Sequence, residues 1–193
     1  MNEKKLILIQ TALQLFYSKG VNSVGINEIL KLSGIAKKTL YGHFAGKDDL
    51  VLATLQYRDE IFNQWFKNTL NSENSGEKSI LAIFYGLDDW FNNKVPELSP
   101  FRGCFFSNTV AEYSVTDSPI RQYCRLHKQT IRSLIKNKIT LFIDNPEDVN
   151  SLTDMIFMLK EGAIVSALVE GNKNAGKECI PAVNQFLNQG KEH

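Results

Sequence analysis

Apolar residues recur along this chain at three- and four-residue spacing, the period of an α-helix, and no stretch alternates like a half-buried strand. Leu6, Ile9, Leu13 and Phe16 form one stripe, and Gly20 stands where such a helix would stop. A short second helix carries Ile26, Ile29 and Leu30 inward and ends near Ser33 and Gly34. A third spans about 37–44. From Lys47 a longer helix runs through Leu50, Leu55, Ile61 and Phe66 to about Leu70, and the polar run 71–76 reads as a loop. Four further helices are expected at about 77–93, 102–113, 118–143 and 147–170, with a last one over 181–188. All five prolines lie at or beyond Pro96, so nothing interrupts a helix in the first half. The expectation is an all-α chain of about nine helices, with a three-helix head over 1–46 and a larger helical body over 47–193.

Composition changes this picture little, and charge changes it more. A 43% hydrophobic and 22% charged content is that of a soluble globular protein, which excludes wholesale disorder. The net charge of +1 is unevenly spread: residues 1–50 hold seven lysines against four acids, whereas the remainder is mildly acidic. A basic head suits a module that touches phosphate. Three widely separated cysteines, Cys104, Cys124 and Cys179, suggest no disulfide framework, so a reducing cytoplasm is expected. Lys4 and Lys5 before Leu-Ile-Leu-Ile imitate a signal peptide, but Gln10, Thr11 and Gln14 interrupt the apolar stretch and no cleavage site follows. Elsewhere the longest uncharged apolar run, Gly162 to Val169, falls far short of the roughly 20 residues a membrane helix needs.

The candidate chemistry lies in residues 24–50. Two short helices joined by a turn at Gly34 make a helix-turn-helix unit, whose second helix packs on the first and leaves one face free. Ile35, Leu40 and Phe44 are the expected anchors, since 40 and 44 stack one turn apart. At about 100° per residue, Lys38, Thr39 and Gly42 then point outward and Tyr41 and His43 fall on the flanks. Lys37 lies nearer the buried side, with a stem long enough to reach solvent. Lys37 and Lys38 suit a phosphate or a guanine edge, and Thr39 a base or a thymine methyl. Tyr41, His43 and Lys47 suit phosphate oxygens. A solvated lysine face and a Tyr at the core edge remain the plainer alternatives.

The run Gly34-Ile35-Ala36-Lys37-Lys38-Thr39-Leu40-Tyr41-Gly42-His43-Phe44, followed by Gly46-Lys47-Asp48-Asp49-Leu50, resembles the helix-turn-helix of the TetR/AcrR family of bacterial repressors. Leu15-Phe16, Gly20 and Ile29 fit the same pattern. The resemblance implies a homodimer that binds double-stranded DNA at a palindromic operator, and a small-molecule effector that releases it. It implies DNA contacts at Lys37, Lys38, Thr39, Tyr41, His43 and Lys47, with Gly42, Gly25 and Asn27 completing the DNA-facing set. Three positions depart from the family. Gly25 stands where a capping Ser or Thr is common, Ala36 replaces another hydroxyl cap, and Gly42 replaces a frequently large contact residue. Base specificity therefore does not transfer from relatives.

Phe101-Arg102-Gly103-Cys104-Phe105-Phe106, with Asn108, Glu112, His127 and Lys128, looks like a subgroup of that family with an Arg-Gly-Cys segment in its sensor domain. Candidate effector contacts are Trp90, Phe105, Asn108, Glu112, Tyr123, His127, Phe157 and Glu161; an ordinary core with a satisfied polar network explains them equally well. Cys124 and His127 lie one turn apart, but no second Cys/His pair completes a zinc set, so neither a metal nor a cofactor is expected. A redox role for Cys104 stays open. Leu152, Ile156, Leu159, Ala163 and Ala167, with Val183, Phe186 and Leu187, form the candidate dimer face, internal packing being the alternative. Two rival functions remain: a DNA-binding architectural protein without an effector, and a helical enzyme using Cys104, His127 or Glu112. The second lacks a nucleophile–base–orienter set in the sequence, so no enzyme is expected.

Overall fold

The computed structural model of the chain describes residues 2–189. Among them are nine α-helices, one short 3-10 turn and no strand. The helices are α1 (Glu3–Lys19), α2 (Ile26–Ser33), α3 (Lys37–His43), α4 (Lys47–Leu70), α5 (Gly76–Phe91), α6 (Phe105–Ala111), α7 (Pro119–Ile139), α8 (Pro146–Val169) and α9 (Ala175–Gln189). Their ends follow local chemistry. The Asn2 side chain accepts the Lys4 N–H at 3.0 Å to start α1, and Asn145 does the same for Glu147 at 2.9 Å to start α8, where Pro146 occupies the first turn. Asp48 and Asp49 place negative charge at the N-terminus of α4, where the helix dipole favours it. No helix among the described residues is long and apolar enough to cross a membrane.

Three helices differ from the periodicity reading, α7 by ending at Ile139, four residues before the expected 143. α6 is shorter than 102–113, because the chain through Cys104 is still extended (φ −81°, ψ 115°). α9 begins six residues before Pro181 and carries that proline inside. The early start depends on close approach: a Cβ on Gly176 would stand 2.4 Å from the Phe84 carbonyl oxygen, so only glycine lets this turn lie against α5.

The described chain forms two compact units. The first comprises residues 2–60 and 104–127, hence α1–α3, the first half of α4, α6 and the start of α7. Leu8, Ala12, Val24, Ile29, Leu40, Leu50 and Leu55 form its core, all 0% exposed. The second comprises residues 61–103 and 128–189. Its centre is aromatic, with Phe62, Phe66, Phe84, Trp90 and Phe91 in or beside the packing of α5 against α8 and α9.

Candidate DNA-reading surface and effector site

The head is built from α2, a tight turn and α3. Gly34 takes the left-handed conformation (φ 68°) that ends α2, and Ala36 returns to an extended backbone before α3. Leu40 and Phe44 are interior, at 0% and 2% exposure, and the Phe44 N–H closes α3 on the Leu40 carbonyl at 2.9 Å. Ile35, the third expected anchor, is half-buried. With those side chains inward, Lys37, Lys38, Tyr41 and Gly42 are exposed, and Thr39, His43 and Lys47 are half-buried. Gly25 and Asn27, at the start of α2, are exposed too. Tyr41 is 48% exposed, and the Lys37 ammonium lies 5.9 Å from its ring centroid. A large aromatic is thus left in water on the same short helix as two exposed lysines. One neighbour had no signal in the motif: the Lys5 ammonium, from α1, sits 5.5 Å from the Phe44 ring.

The expected effector residues fall in both compact units. Phe105, Asn108, Glu112, Tyr123 and His127 belong to the first; Trp90, Phe157 and Glu161 belong to the second. In the first, His127 is 1% exposed and its ring stacks flat on Phe106 at 3.5 Å between centroids, 7° from parallel. His127 Nδ1 lies 2.6 Å from Asp59 Oδ1, and the Tyr123 hydroxyl donates to Asp59 Oδ2 at 3.2 Å. Burial, then the Asp59 carboxylate, pushes the Tyr123 phenol up to about 12. Phe105 packs edge-on against Tyr17 at 5.8 Å. Asp59 was not singled out from the sequence, and its partner lies sixty-eight positions away, beyond any local pattern. Thr109 Oγ1 is buried without a hydrogen-bond partner, the kind of polar group a ligand can satisfy.

Glu112 faces the head. Its carboxylate accepts the N–H groups of Val21 and Asn22, at 2.7 and 2.6 Å. Neighbouring Tyr113 donates its hydroxyl to Asp48 at 3.0 Å, and burial, aided by that carboxylate, raises its phenol above the ordinary tyrosine value.

In the second unit Trp90 is 1% exposed amid Phe62, Trp65, Phe91 and Phe101, and its indole N–H donates to the Leu98 carbonyl at 3.4 Å. Phe157 lies under the Arg132 guanidinium, 4.2 Å from its ring centroid. Glu161 accepts from Lys128 and Lys160, both at 2.6 Å. Burial alone would raise its carboxyl, but the two ammonium groups prevail and hold it down at about 2. None of these three residues lines the second unit's cleft of about 720 Å³, which runs along Trp65, Thr69, Tyr85 and Gly86.

The dimer expectation needs correction on α8 and α9. Leu152, Ile156, Val183 and Leu187 are 0–3% exposed within a single copy, so the α5, α8 and α9 layer already covers them. Ala163 and Ala167 are also nearly covered, at 4% and 6%. The apolar side chains left in solvent lie one step round the helix: Met158 at 65%, Val165 at 57% and Val169 at 75%. Of these, Met158 borders an open groove of about 490 Å³ together with Met155, Leu159, Gly162 and Phe186, so Leu159 and Phe186 of the expected set keep a free edge there beside Ala163.

Among the described residues no three metal-ligating side chains come together. Cys104 and Cys124 are buried, at 8% and 3%.

The pattern of bacterial regulatory proteins of the tetR family matches residues 8–54, which span α2, α3 and their flanks. An HTH-type transcriptional regulator from the lacX 3′ region of Lactococcus lactis is 32% identical over 121 residues, 63% of this chain and 60% of that protein. The HTH-type regulator YxaF of Bacillus subtilis is 23% identical over 86% of this chain and 85% of its own length. Among solved structures, a TetR-family transcriptional regulator from Streptomyces coelicolor superimposes with a TM-score of 0.86 at 27% identity, over 97% of this chain and 90% of that one. The matched head carries the α3 surface, and the helical likeness continues through the body to nearly the whole length, so this chain carries a tetR-type DNA-binding segment over residues 8–54 within a fold similar to that of TetR-family regulators.

Proposed function

We propose that the protein is a ligand-responsive repressor, a cytoplasmic homodimer that grips a palindromic operator and releases it when a small effector binds. The observation that carries this reading is the outer face of α3, where Lys37, Lys38, Tyr41 and Gly42 stand exposed beside buried Leu40 and Phe44. Residues 1–46 read DNA in this proposal, and residues 47–193 sense and dimerise. Lys37 and Lys38 engage phosphate or guanine, and Thr39 a base. Tyr41, His43 and Lys47, with Asn27 and the backbone at Gly25, hold phosphates that fix the register. Gly42, with nothing within 4 Å of a built Cβ, lets the α3 backbone approach the groove.

A second copy docks on the exposed strip of α8 and α9 around Met155, Met158, Gly162 and Phe186, whose open groove supports an isologous contact. The two α3 helices must then meet successive major grooves, roughly 34–36 Å apart. Effector contact is assigned to Asn108, Tyr123 and His127, close to the orphaned Thr109 hydroxyl in sequence or on α7. An effector lowers operator affinity only by its differential affinity for the two head spacings.

The test is DNA binding by fluorescence anisotropy across a salt series, on fragments the protein enriches from a random pool. Log affinity is expected to fall with log salt at about −0.9 per phosphate neutralised. Lys38→Ala and Tyr41→Ala should each weaken binding about tenfold, roughly 1.4 kcal/mol. Affinity untouched by both substitutions would reject the assigned surface.

A further inference from the structure

Three features of the first unit meet at α6, a helix of only seven residues. At its C-terminal end, Glu112 Oε1 takes the Val21 N–H at 2.7 Å and Oε2 takes the Asn22 N–H at 2.6 Å. One carboxylate thus spans two consecutive amides in the turn joining α1 to α2. The Asn22 side-chain amide returns a bond to the Glu112 carbonyl at 3.1 Å, so backbone and side chain of residue 112 are both tied to that turn. Gly20 makes the approach possible: it holds φ at +87°, and a Cβ there would stand 3.0 Å from Glu112 Oε1.

The next residue binds just past the head, at the start of α4. Tyr113 donates to Asp48 at 3.0 Å, in the first turn of α4, directly after the reading helix. The adjoining Asp49 accepts the Ala45 N–H at 3.0 Å and thereby fixes the link from α3 to α4. The end of α6 is itself clamped from α7, where Arg121 Nη1 donates to the Tyr113 carbonyl at 2.6 Å and the Val110 carbonyl at 3.4 Å. At the other end of α6, Phe106 lies flat on buried His127, which Asp59 holds. The short helix therefore connects the buried Asp59–His127 pair to both flanks of the α2–α3 pair.

We propose that Glu112 is a positioning residue for DNA binding: through its carboxylate, α6 fixes the α1–α2 turn and with it the attitude of the reading helix. This deepens the reading of α3 as the DNA-contacting helix and rests on it. The chemistry favours a positioning part over a purely structural one. Asn22 is exposed, so water can replace the carboxylate at its amide; Val21 is 1% exposed, so its amide alone would lose a partner. What water cannot supply is a fixed distance between the turn and α6. Charge-assisted bonds to amides are short, directional and worth more than neutral ones, so the pair resists small displacements of the turn. A displacement of α6 in turn shifts the turn and the start of α4 together, and so moves the reading helix.

The experiment uses the full chain with Glu112→Gln, Glu112→Asp and Glu112→Ala, on the DNA fragment enriched from a random pool by the unaltered protein. Glutamine keeps one acceptor and turns an NH2 toward the second amide; aspartate keeps the charge on a shorter stem. We expect Glu112→Gln and Glu112→Ala to weaken specific binding about tenfold, as losing part of a charge-assisted pair implies. Affinity for a scrambled fragment and its salt slope should stay unchanged, because no phosphate contact is touched. Glu112→Asp should recover part of the loss. Hydrogen exchange at the Val21 and Asn22 amides should quicken in step with the affinity lost. Faster exchange with unchanged specific affinity would overturn the inference while leaving the reading of α3 intact. Loss of helical circular dichroism in Glu112→Gln would make Glu112 a folding residue and overturn it as well. Failure of the unaltered protein to enrich any DNA would overturn both readings together.

Discussion

The two compact units are held together by different means. In the first, elements far apart in sequence are tied by directional polar contacts: Glu112 to the Val21 and Asn22 amides, Tyr113 to Asp48, and Asp59 to Tyr123 and His127. In the second, a cluster of Phe62, Trp65, Trp90, Phe91 and Phe101 rings packs in mutual contact, with polar ties beside it that include the Lys128–Glu161–Lys160 set and Lys177 on buried Asp88. Apolar packing is non-directional and stiff because it is dense, whereas part-exposed hydrogen bonds can be exchanged for water with little net change. The contrast suits the proposed function, in which the first unit must be adjustable and the second must keep its shape.

That contrast can be broken in order of size. Trp90→Ala, in the middle of the ring cluster, should cost about 3–5 kcal/mol of stability, read from chemical denaturation. A loss under about 1 kcal/mol would mean the second unit is not governed by its aromatic packing. Glu161→Gln comes next, since it leaves two ammonium groups, one on fully buried Lys160, without their shared carboxylate; the expected loss near neutral pH is about 2–4 kcal/mol. The pH dependence follows from the sign. A carboxyl held down at about 2 contributes stability above its ordinary value near 4.5, and that stability is lost as pH falls through this window. The gap between the unaltered chain and Glu161→Gln should therefore narrow below about pH 4.5, and a gap constant with pH would contradict the assigned charge set.

Met158→Asp should leave the fold of one copy intact, because the side chain is 65% exposed, yet weaken self-association about a hundredfold in sedimentation experiments, as an uncompensated interface charge does. Unchanged association would move the dimer contact elsewhere. The smallest effect is expected in the first unit: Tyr123→Phe removes one hydrogen bond of 3.2 Å to Asp59 and should cost about 0.5–1.5 kcal/mol. A larger loss would place the buried His127 pair among the rigid parts of the molecule.

How much of this was legible beforehand depends on range. The helix ends at Gly20, Gly34 and Lys47, and the inward setting of Leu40 and Phe44, depend on neighbours within a turn or two, and the periodicity located them. The start of α9 depends on Gly176 meeting Phe84, ninety-two positions earlier, and no local signal carries that. The face of α8 was misjudged for a related reason. That helix is apolar on two sides, with Leu152, Ile156 and Ala163 inside and Met158, Val165 and Val169 outside. Spacing finds an apolar stripe but does not say which of two stripes a chain buries on its own. Glu112 shows the same limit for polar groups: on α6's flank it reads as a candidate ligand contact, yet its partners are backbone amides, which have no residue-type signature at all.

The make-up of the first unit also bears on how the protein is synthesised. Residues 2–60 emerge from the ribosome well before residues 104–127, so Asp59 and Arg58 wait without His127 and Cys104 while the intervening chain is made. At roughly 5–20 residues per second that interval lasts several seconds. Over that time residues 2–60 carry the helix-turn-helix motif and lack the segment that completes their interior.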